Sequence, residues 1–403
     1  MKLIFFTFYY PPDLCAGSFR AVALTEALSH KLNSDDEIHI ITTQPNRYAS
    51  HQVEAESDVV EGNVRIHRIR VPVHKGGMAS QTRSFLTYFW NAFFLCNKIK
   101  PDFIIGTTSR LMTGVLTWLS AITVRCRYFI DLRDIFSETI SDVFSTKNRL
   151  LGRVVKFIFS FLEKRVFRSA AGVNVVSLGF PDYFESQGIS TCNWSFYPNG
   201  VDSEFIGLPE LKNDNQDEVI TIFYAGNIGS GQGLETIIPA VAKKLGGRYR
   251  FTIIGDGGTR YLLKKKIETE GIDNVELLLP IGREALVQYY KRADILFLHL
   301  NNLPAFKRVL PSKIFEYAAL GKPIVAGLDG YSAQFIRDNV EYGSLFSPGD
   351  VDSCVSCIEN IVIDNSRKEA VESFVMKYSR TRIMDDMSTY VLSLTDRNTV
   401  NAR

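Results

Sequence analysis

Twice along this chain, short β-rich apolar runs alternate with stretches of helical periodicity. No other feature restricts the fold as strongly. In the first half, residues 3–8, 37–43, 64–69, 103–106, 127–131 and 172–176 read as strands, and 19–32, 80–99, 111–123 and 150–168 as helices. Such alternation means βαβ units and a parallel sheet covered on both faces. A second series follows, with strands expected at 220–224, 250–254, 275–278, 295–298 and 323–326 and helices between them. The polar stretch 209–218 separates the two series and is the best domain boundary by composition. From Asp350 the chain is expected to be helical to about Leu394 and then frayed. A length of 403 residues fits two domains. The expected class is α/β: two Rossmann-like doubly wound domains facing a central cleft, with ligands at the carboxyl ends of the strands.

Composition removes several alternatives. The chain is 45% hydrophobic and 22% charged, so it can bury two cores without staples. A net charge of +2 argues against a nucleic-acid binder. The six cysteines read as packing thiols. Cys354 and Cys357 fall in an apolar helical stretch, with no second pair to complete a zinc site. Residues 1–10 are too short for a secretory h-region, and Leu14 before Cys15 is not the small residue a lipoprotein site needs. The longest apolar stretches, 85–96 and 154–162, fall short of the roughly 20 residues of a membrane span. The expected location is therefore cytoplasmic, with any membrane contact peripheral. One charge cluster stands out: between Lys147 and Arg168 lie seven basic residues and one acidic residue, Glu163.

Three segments carry candidate chemistry. After the first strand, Tyr10-Pro11-Pro12 leads to Gly17 and Ser18 at a helix start, where small residues let backbone amides approach an anion. Taken alone, this reads equally as a plain strand-to-helix turn. After the first strand of the second series comes Gly226-Asn227-Ile228-Gly229-Ser230-Gly231-Gln232-Gly233, a phosphate-cradle composition without the dinucleotide spacing. The turn Gly255-Asp256-Gly257-Gly258 follows the next strand at the same sheet edge. The third segment runs from Leu310 to Pro323. Pro311 and Ser312 are start signals for a short helix and Gly321 is its stop. Lys313 and Glu316 share one face of that helix. The cation can meet a phosphate and the carboxylate can accept ribose hydroxyls; the pair also reads as an ordinary surface Lys–Glu pair.

In this order the segments resemble the family 4 retaining glycosyltransferases of the GT-B fold over nearly the whole chain. Tyr197-Pro198-Asn199-Gly200-Val201-Asp202 adds to the likeness, as do Gly321 and Pro323 beside Glu316. Asp131-Leu132-Arg133-Asp134 and Pro311-Ser312-Lys313 resemble the branch that builds O-antigen and capsule repeats, some of whose members transfer N-acetylfucosamine. The resemblance implies an acceptor domain at 1–205, a nucleotide-sugar donor domain at 206–375 and a C-terminal helix at 376–403 returning to the first domain. It implies donor contacts from Gly17, Ser18, Gly226, Asn227, Gln232, Gly255, Asp256, Lys313 and Glu316, with Glu316 on the ribose. Arg133 and Asp134 stand where many relatives carry a His-Asp pair near the acceptor hydroxyl.

The chain departs from that pattern in two places. The diphosphate-gripping Arg and Lys of many relatives are here the neutral Asn227 and Gln232, and the first Glu of the Glu-x7-Glu pattern is Arg308. Arg308 and Lys313, with Lys307, are therefore expected to neutralise the donor diphosphate, because an unpaired diphosphate in a closed site is costly.

The implied reaction retains anomeric configuration and relies on positioning and leaving-group charge stabilisation, with no metal and no cofactor. Uridine is the expected base. Aromatic residues from Phe85 to Phe94 and the basic, aromatic stretch 154–167 suit an anionic membrane surface, and so a polyprenyl-diphosphate-linked glycan acceptor. Core helices with solvated basic faces are the other reading of those stretches. A nucleotide-sugar 2-epimerase of the same fold and a non-catalytic nucleotide-sugar-binding scaffold are the rival functions.

Overall fold

The computed structural model describes residues 1–13, 15–45, 54–72, 78–108, 111–135, 149–207, 219–363 and 367–395. The expected linker at 209–218 lies outside them. The chain divides into a first unit of Met1–Asn199 with Thr381–Arg403 and a second unit of Gly200–Arg380. These changes of unit fall at 199/200 and 380/381, against the 205/206 and 375/376 that the resemblance implies.

In the first unit, β1 (Lys2–Phe6), β2 (Glu37–Thr43), β3 (Asp58–Glu61), β4 (Val64–Ile69), β5 (Phe103–Thr108), β6 (Arg127–Leu132), β7 (Gly172–Val175) and β8 (Ser195–Phe196) form one sheet. Its order is β3-β4-β2-β1-β5-β6-β7-β8, and every pair is parallel except β3 with β4. Helices α1 (Ala16–Lys31), α2 (Met78–Ile99), α3 (Leu111–Val124), α4 (Arg149–Arg168) and α5 (Pro181–Ser186) connect the strands. β1, β2 and β5 are almost wholly buried, as continuous apolar runs in a doubly covered parallel sheet must be. The antiparallel β3 was not foreseen. Its Asp58-Val59-Val60-Glu61 is mostly exposed, so no apolar run marks it.

In the second unit, β9 (Ile220–Ala225), β10 (Tyr249–Ile254), β11 (Val275–Leu278), β12 (Ile295–His299), β13 (Ile324–Gly327) and β14 (Gly343–Phe346) form a fully parallel sheet of order β11-β10-β9-β12-β13-β14. Its helices are α6 (Leu234–Leu245), α7 (Arg260–Thr269), α8 (Arg283–Arg292), α9 (Lys313–Ala319), α10 (Gly330–Asn339), α11 (Val351–Glu359) and α12 (Lys368–Tyr378). Ile222 and Tyr224 of β9, Ile237, Ile238 and Val241 of α6 and Phe297 of β12 are at most 1% exposed and form its core. Each such side chain stabilises by about 1.5–3 kcal/mol on burial. The tail expected as one helical region is three helices, α11, α12 and then α13 (Arg380–Ser393) of the first unit. Tyr390 of α13 and Leu394 just beyond it pack on β7, crowding Gly172 so closely that a Cβ there would lie 2.7 Å from Leu394 Cδ1 and 3.0 Å from Tyr390 Oη.

Strand order reverses at β1 between β2 and β5, and at β9 between β10 and β12. Loops leaving the carboxyl ends of strands diverge at such points and open a crevice for ligands. The loop through Gly17 and the loop through Gly226 each leave one of them.

Candidate functional site

β9 ends at Ala225 and the chain turns at Gly226, where φ is +145°. A Cβ at this position would lie 2.2 Å from Lys313 Nζ, so the bare Cα gives that side chain its place. Lys313 opens α9 and holds its ammonium over the Tyr224 ring, 5.0 Å from the centroid. Among the described residues it has no ion-pair partner. Burial pushes its pKa below the ordinary lysine value, and Glu316 opposes that push. Glu316 sits one turn along, and its Oε2 accepts a hydrogen bond from Tyr290 Oη at 3.2 Å. Burial raises the Glu316 pKa. Lys313 lowers it, Asp202 raises it, and Arg283 and Arg380 lower it.

Asp202 explains much of the Pro-Asn-Gly-Val-Asp run. It pairs with Arg283 and, at 2.9 Å, with Arg380 Nε, while Arg283 also pairs with Glu204. The backbone beside it is stapled by Val201 N–H to Tyr378 O at 2.7 Å and Arg380 N–H to Val201 O at 2.8 Å. The motif thus ties the first residues of the second unit to its last.

The two glycine turns are laced to each other. Gly226 N–H donates to Ile254 O at 2.8 Å and Ile228 N–H to Asp256 O at 2.9 Å. A Cβ on Gly255 would lie 1.9 Å from Gly226 O, which only glycine avoids. Asn227 Nδ2 donates to Gln232 Oε1 at 2.7 Å, so these two expected donor residues close the loop on each other. Asp256 Oδ1 accepts from Gly257 N–H at 2.8 Å.

His299, absent from the sequence-derived site, braces the same loop from below. Its Nδ1 lies 2.6 Å from Gln232 O, and its Nε2 accepts from Gly349 N–H at 2.9 Å. A carbonyl on one side and an N–H on the other require the neutral ring with its proton on Nδ1. Burial also depresses its pKa, against the opposing effects of Gln232 and Glu235. A histidine depressed in the fold makes the unfolded chain the better proton acceptor. Its stabilising contribution is therefore present above the ordinary histidine pKa of about 6.5 and lost as pH falls through that range. Melting of the wild type is expected to be more acid-sensitive between pH 7.5 and 5.5 than melting of His299→Gln, whose amide does not titrate; parallel curves would refute it.

Arg308 lies between the 3-10 turn Pro304–Lys307 and α9, with Nη1 donating to Pro304 O at 3.4 Å. Lys307 is paired with Asp329 at 2.7 Å.

In the first unit, a Cβ on Gly17 would lie 2.7 Å from Arg133 Nη1, so α1's first turn and the residue after β6 meet. Ser18 is fully buried, and its Oγ has no hydrogen-bond partner among the described residues. Burial, then the nearby Arg20 charge, lowers the Arg133 pKa; Asp131 opposes them. Arg133 Nη2 reaches Asn199 Oδ1 at 3.5 Å. Asp134 is exposed.

The dominant group here is one the sequence reading passed over. Arg20, 1% exposed, grips Asp131 through Nε and Nη2, both at 2.8 Å, and donates to Pro198 O at 2.7 Å and Tyr197 O at 2.8 Å. Asn174 Nδ2 completes Asp131 at 2.8 Å. Asp131 is thereby held below the usual carboxylate range against its own burial. The signal was present: Arg20 shares the i, i+4, i+8 stripe of α1 with Leu24 and Leu28, and a charge on an apolar stripe must be paired.

Comparisons with known proteins agree with this architecture. Residues 210–375 match the family model described as "Glycosyl transferases group 1". A glycosyl transferase named for colanic acid biosynthesis, WcaI of Escherichia coli K12, is 24% identical over 352 residues, covering 82% of this chain and 84% of its own. Sucrose-phosphate synthase from Thermosynechococcus elongatus superimposes with a TM-score of 0.73 at 15% identity, over 98% of both chains. Anabaena HepE, solved in complex with UDP-glucose, gives 0.66 at 15% identity over 98% of this chain and 99% of its own. These solved structures establish the fold as GT-B.

Proposed function

We propose that this chain of the GT-B fold is a group 1 glycosyltransferase that moves a sugar, with retention of configuration, from a UDP-sugar to a polyprenyl-diphosphate-linked glycan in bacterial O-antigen or capsule assembly. The observation that carries the donor half is Lys313. A half-buried ammonium that has no ion-pair partner among the described residues, beside a glycine turn at a strand-order reversal, is an anion receptor. Glu316, one turn away, supplies the acceptor group for ribose hydroxyls. The relative named for colanic acid biosynthesis favours a surface-polysaccharide product, and HepE's UDP-glucose favours uridine. The sugar in this reading is N-acetylfucosamine or another N-acetylated hexose.

In the reaction, Lys313 and Arg308 stabilise charge on the leaving diphosphate, which takes the acceptor proton, and no divalent cation is required. Arg133 and Asp134 serve the acceptor. The first unit offers a surface suited to the lipid. Leu86, Trp90 and Phe94 on α2, and Phe157, Ile158 and Phe161 on α4, are 46–75% exposed, with Arg153, Arg165 and Arg168 exposed on α4. Aromatic and basic groups together favour the interface of an anionic membrane. Among the described residues no helix is long and apolar enough to cross one.

The test is calorimetric binding of UDP, GDP, ADP and their sugars without metal, followed by product analysis. One nucleotide class is expected to bind, with affinity reduced about tenfold or more in Glu316→Ala, the scale of hydrogen bonds to a charged group. Absence of binding by every nucleotide would sink the reading, and an epimerised sugar as product would replace transfer by epimerisation.

A further inference from the structure

We propose that Tyr290 is a positioning residue for nucleotide recognition: its hydroxyl holds Oε2 of Glu316, leaving the other carboxylate oxygen to accept ribose hydroxyls, so that the pair selects ribonucleotides over 2′-deoxyribonucleotides. This assignment rests on the donor reading above and adds to it a residue and a specificity.

The geometry is restrictive. Tyr290 lies on α8 and is 1% exposed. Phe223 meets its ring edge-on at 5.0 Å and 83°, Phe205 at 5.6 Å and 88°, and Tyr317 at 5.9 Å and 71°. Arg283 lies over the far ring of that set, 5.2 Å from the Phe205 centroid, and is itself anchored on Asp202. A ring caged on three sides cannot swing, so its hydroxyl points in one direction. A buried hydroxyl must find a partner, and among the described residues this one donates to Glu316.

The consequence for Glu316 is one of capacity. An ionised carboxylate offers about four acceptor sites. Among the described residues Glu316 makes no ion pair, and its side chain carries the single bond from Tyr290. Fixing one oxygen also fixes the rotation of the carboxylate plane. The remaining capacity then faces one way, and a vicinal diol is the donor pair that matches it. Without the Tyr290 hydroxyl the plane can rotate, and one ribose hydroxyl satisfies it nearly as well as two.

The experiment uses the full chain and the nucleoside diphosphate among UDP, GDP and ADP that binds, together with its 2′-deoxy counterpart. Calorimetry is run on wild type, Tyr290→Phe and Glu316→Gln. Phenylalanine keeps the ring cage and removes only the oxygen. Wild type is expected to prefer the ribonucleotide by about tenfold or more, and Tyr290→Phe to discriminate by no more than about threefold, mainly through weaker ribonucleotide binding.

A second readout is the pH dependence of affinity. The lost hydrogen bond favoured the ionised carboxylate, so the acid limb moves to higher pH in Tyr290→Phe. A role in packing alone would lower the melting temperature and move neither the ratio nor the limb, and that result overturns the proposal. Wild-type binding to none of the three nucleotides, or ribonucleotide binding unchanged in Glu316→Gln, would instead overturn the donor reading and this assignment with it.

Discussion

Replacing Arg20 by methionine is expected to destabilise the first unit by about 3–5 kcal/mol, the cost of leaving one member of a buried ion pair without its partner. Arg20 and Asp131 are each 1% exposed, and the pair is bidentate. Among the described residues Asp131 would keep the hydrogen bond from Asn174, Pro198 O would lose that from Arg20, and Tyr197 O would be left with Asn174 Nδ2. The loss is one of organisation as well as energy, because Arg20 draws β6, β7 and the segment before Asn199 onto α1. Urea denaturation of the full chain measures it as an earlier first transition. Arg20→Met combined with Asp131→Asn should recover part of the stability, since a buried pair replaced as a whole is often nearly neutral. A single variant within about 1 kcal/mol of wild type would show that the pair is not holding the unit.

Lys313→Met should separate stability from function. The ammonium is half-buried with no ion-pair partner among the described residues, and partial desolvation depresses its pKa. Methionine fills a similar volume and removes the desolvated charge. The variant is therefore expected to melt at or above the wild-type temperature, as happens where a site holds strain for function. Transfer should fall about 100- to 1000-fold in kcat/KM, the range for deleting one preorganised group that stabilises developing negative charge. Both readouts are needed. A variant that lost stability and activity together would make Lys313 a structural lysine, while full activity would assign leaving-group stabilisation elsewhere, Arg308 being the next candidate.

The glycine turns and the Lys313–Glu316 helix of the proposed donor site were legible in the sequence because they are local. Gly226, Gly255 and Gly257 stand at positions whose backbone or close neighbours demand glycine, and such demands show in a single chain. Lys313 and Glu316 share a face of one short helix, which spacing alone predicts. The supporting groups were not legible. Tyr290 lies 26 residues from Glu316, His299 is 67 from Gln232, and Asp131 is 111 from Arg20. No periodicity links residues so far apart. The hydrogen bond from Asn227 to Gln232, the two neutral residues at positions where the resemblance puts diphosphate-gripping cations, is likewise a feature that spacing does not reveal.

The sequence by itself determined the doubly wound architecture, because alternating 2.0 and 3.6 periodicities leave an apolar strand run no stable place except a parallel sheet covered by helices. It also determined where the glycine turns fall. Only the tertiary structure decided which polar groups meet inside. Buried charges and hydroxyls must find partners wherever the chain brings them, and the partner of Arg20, Tyr290 or His299 is set by strand order and helix packing.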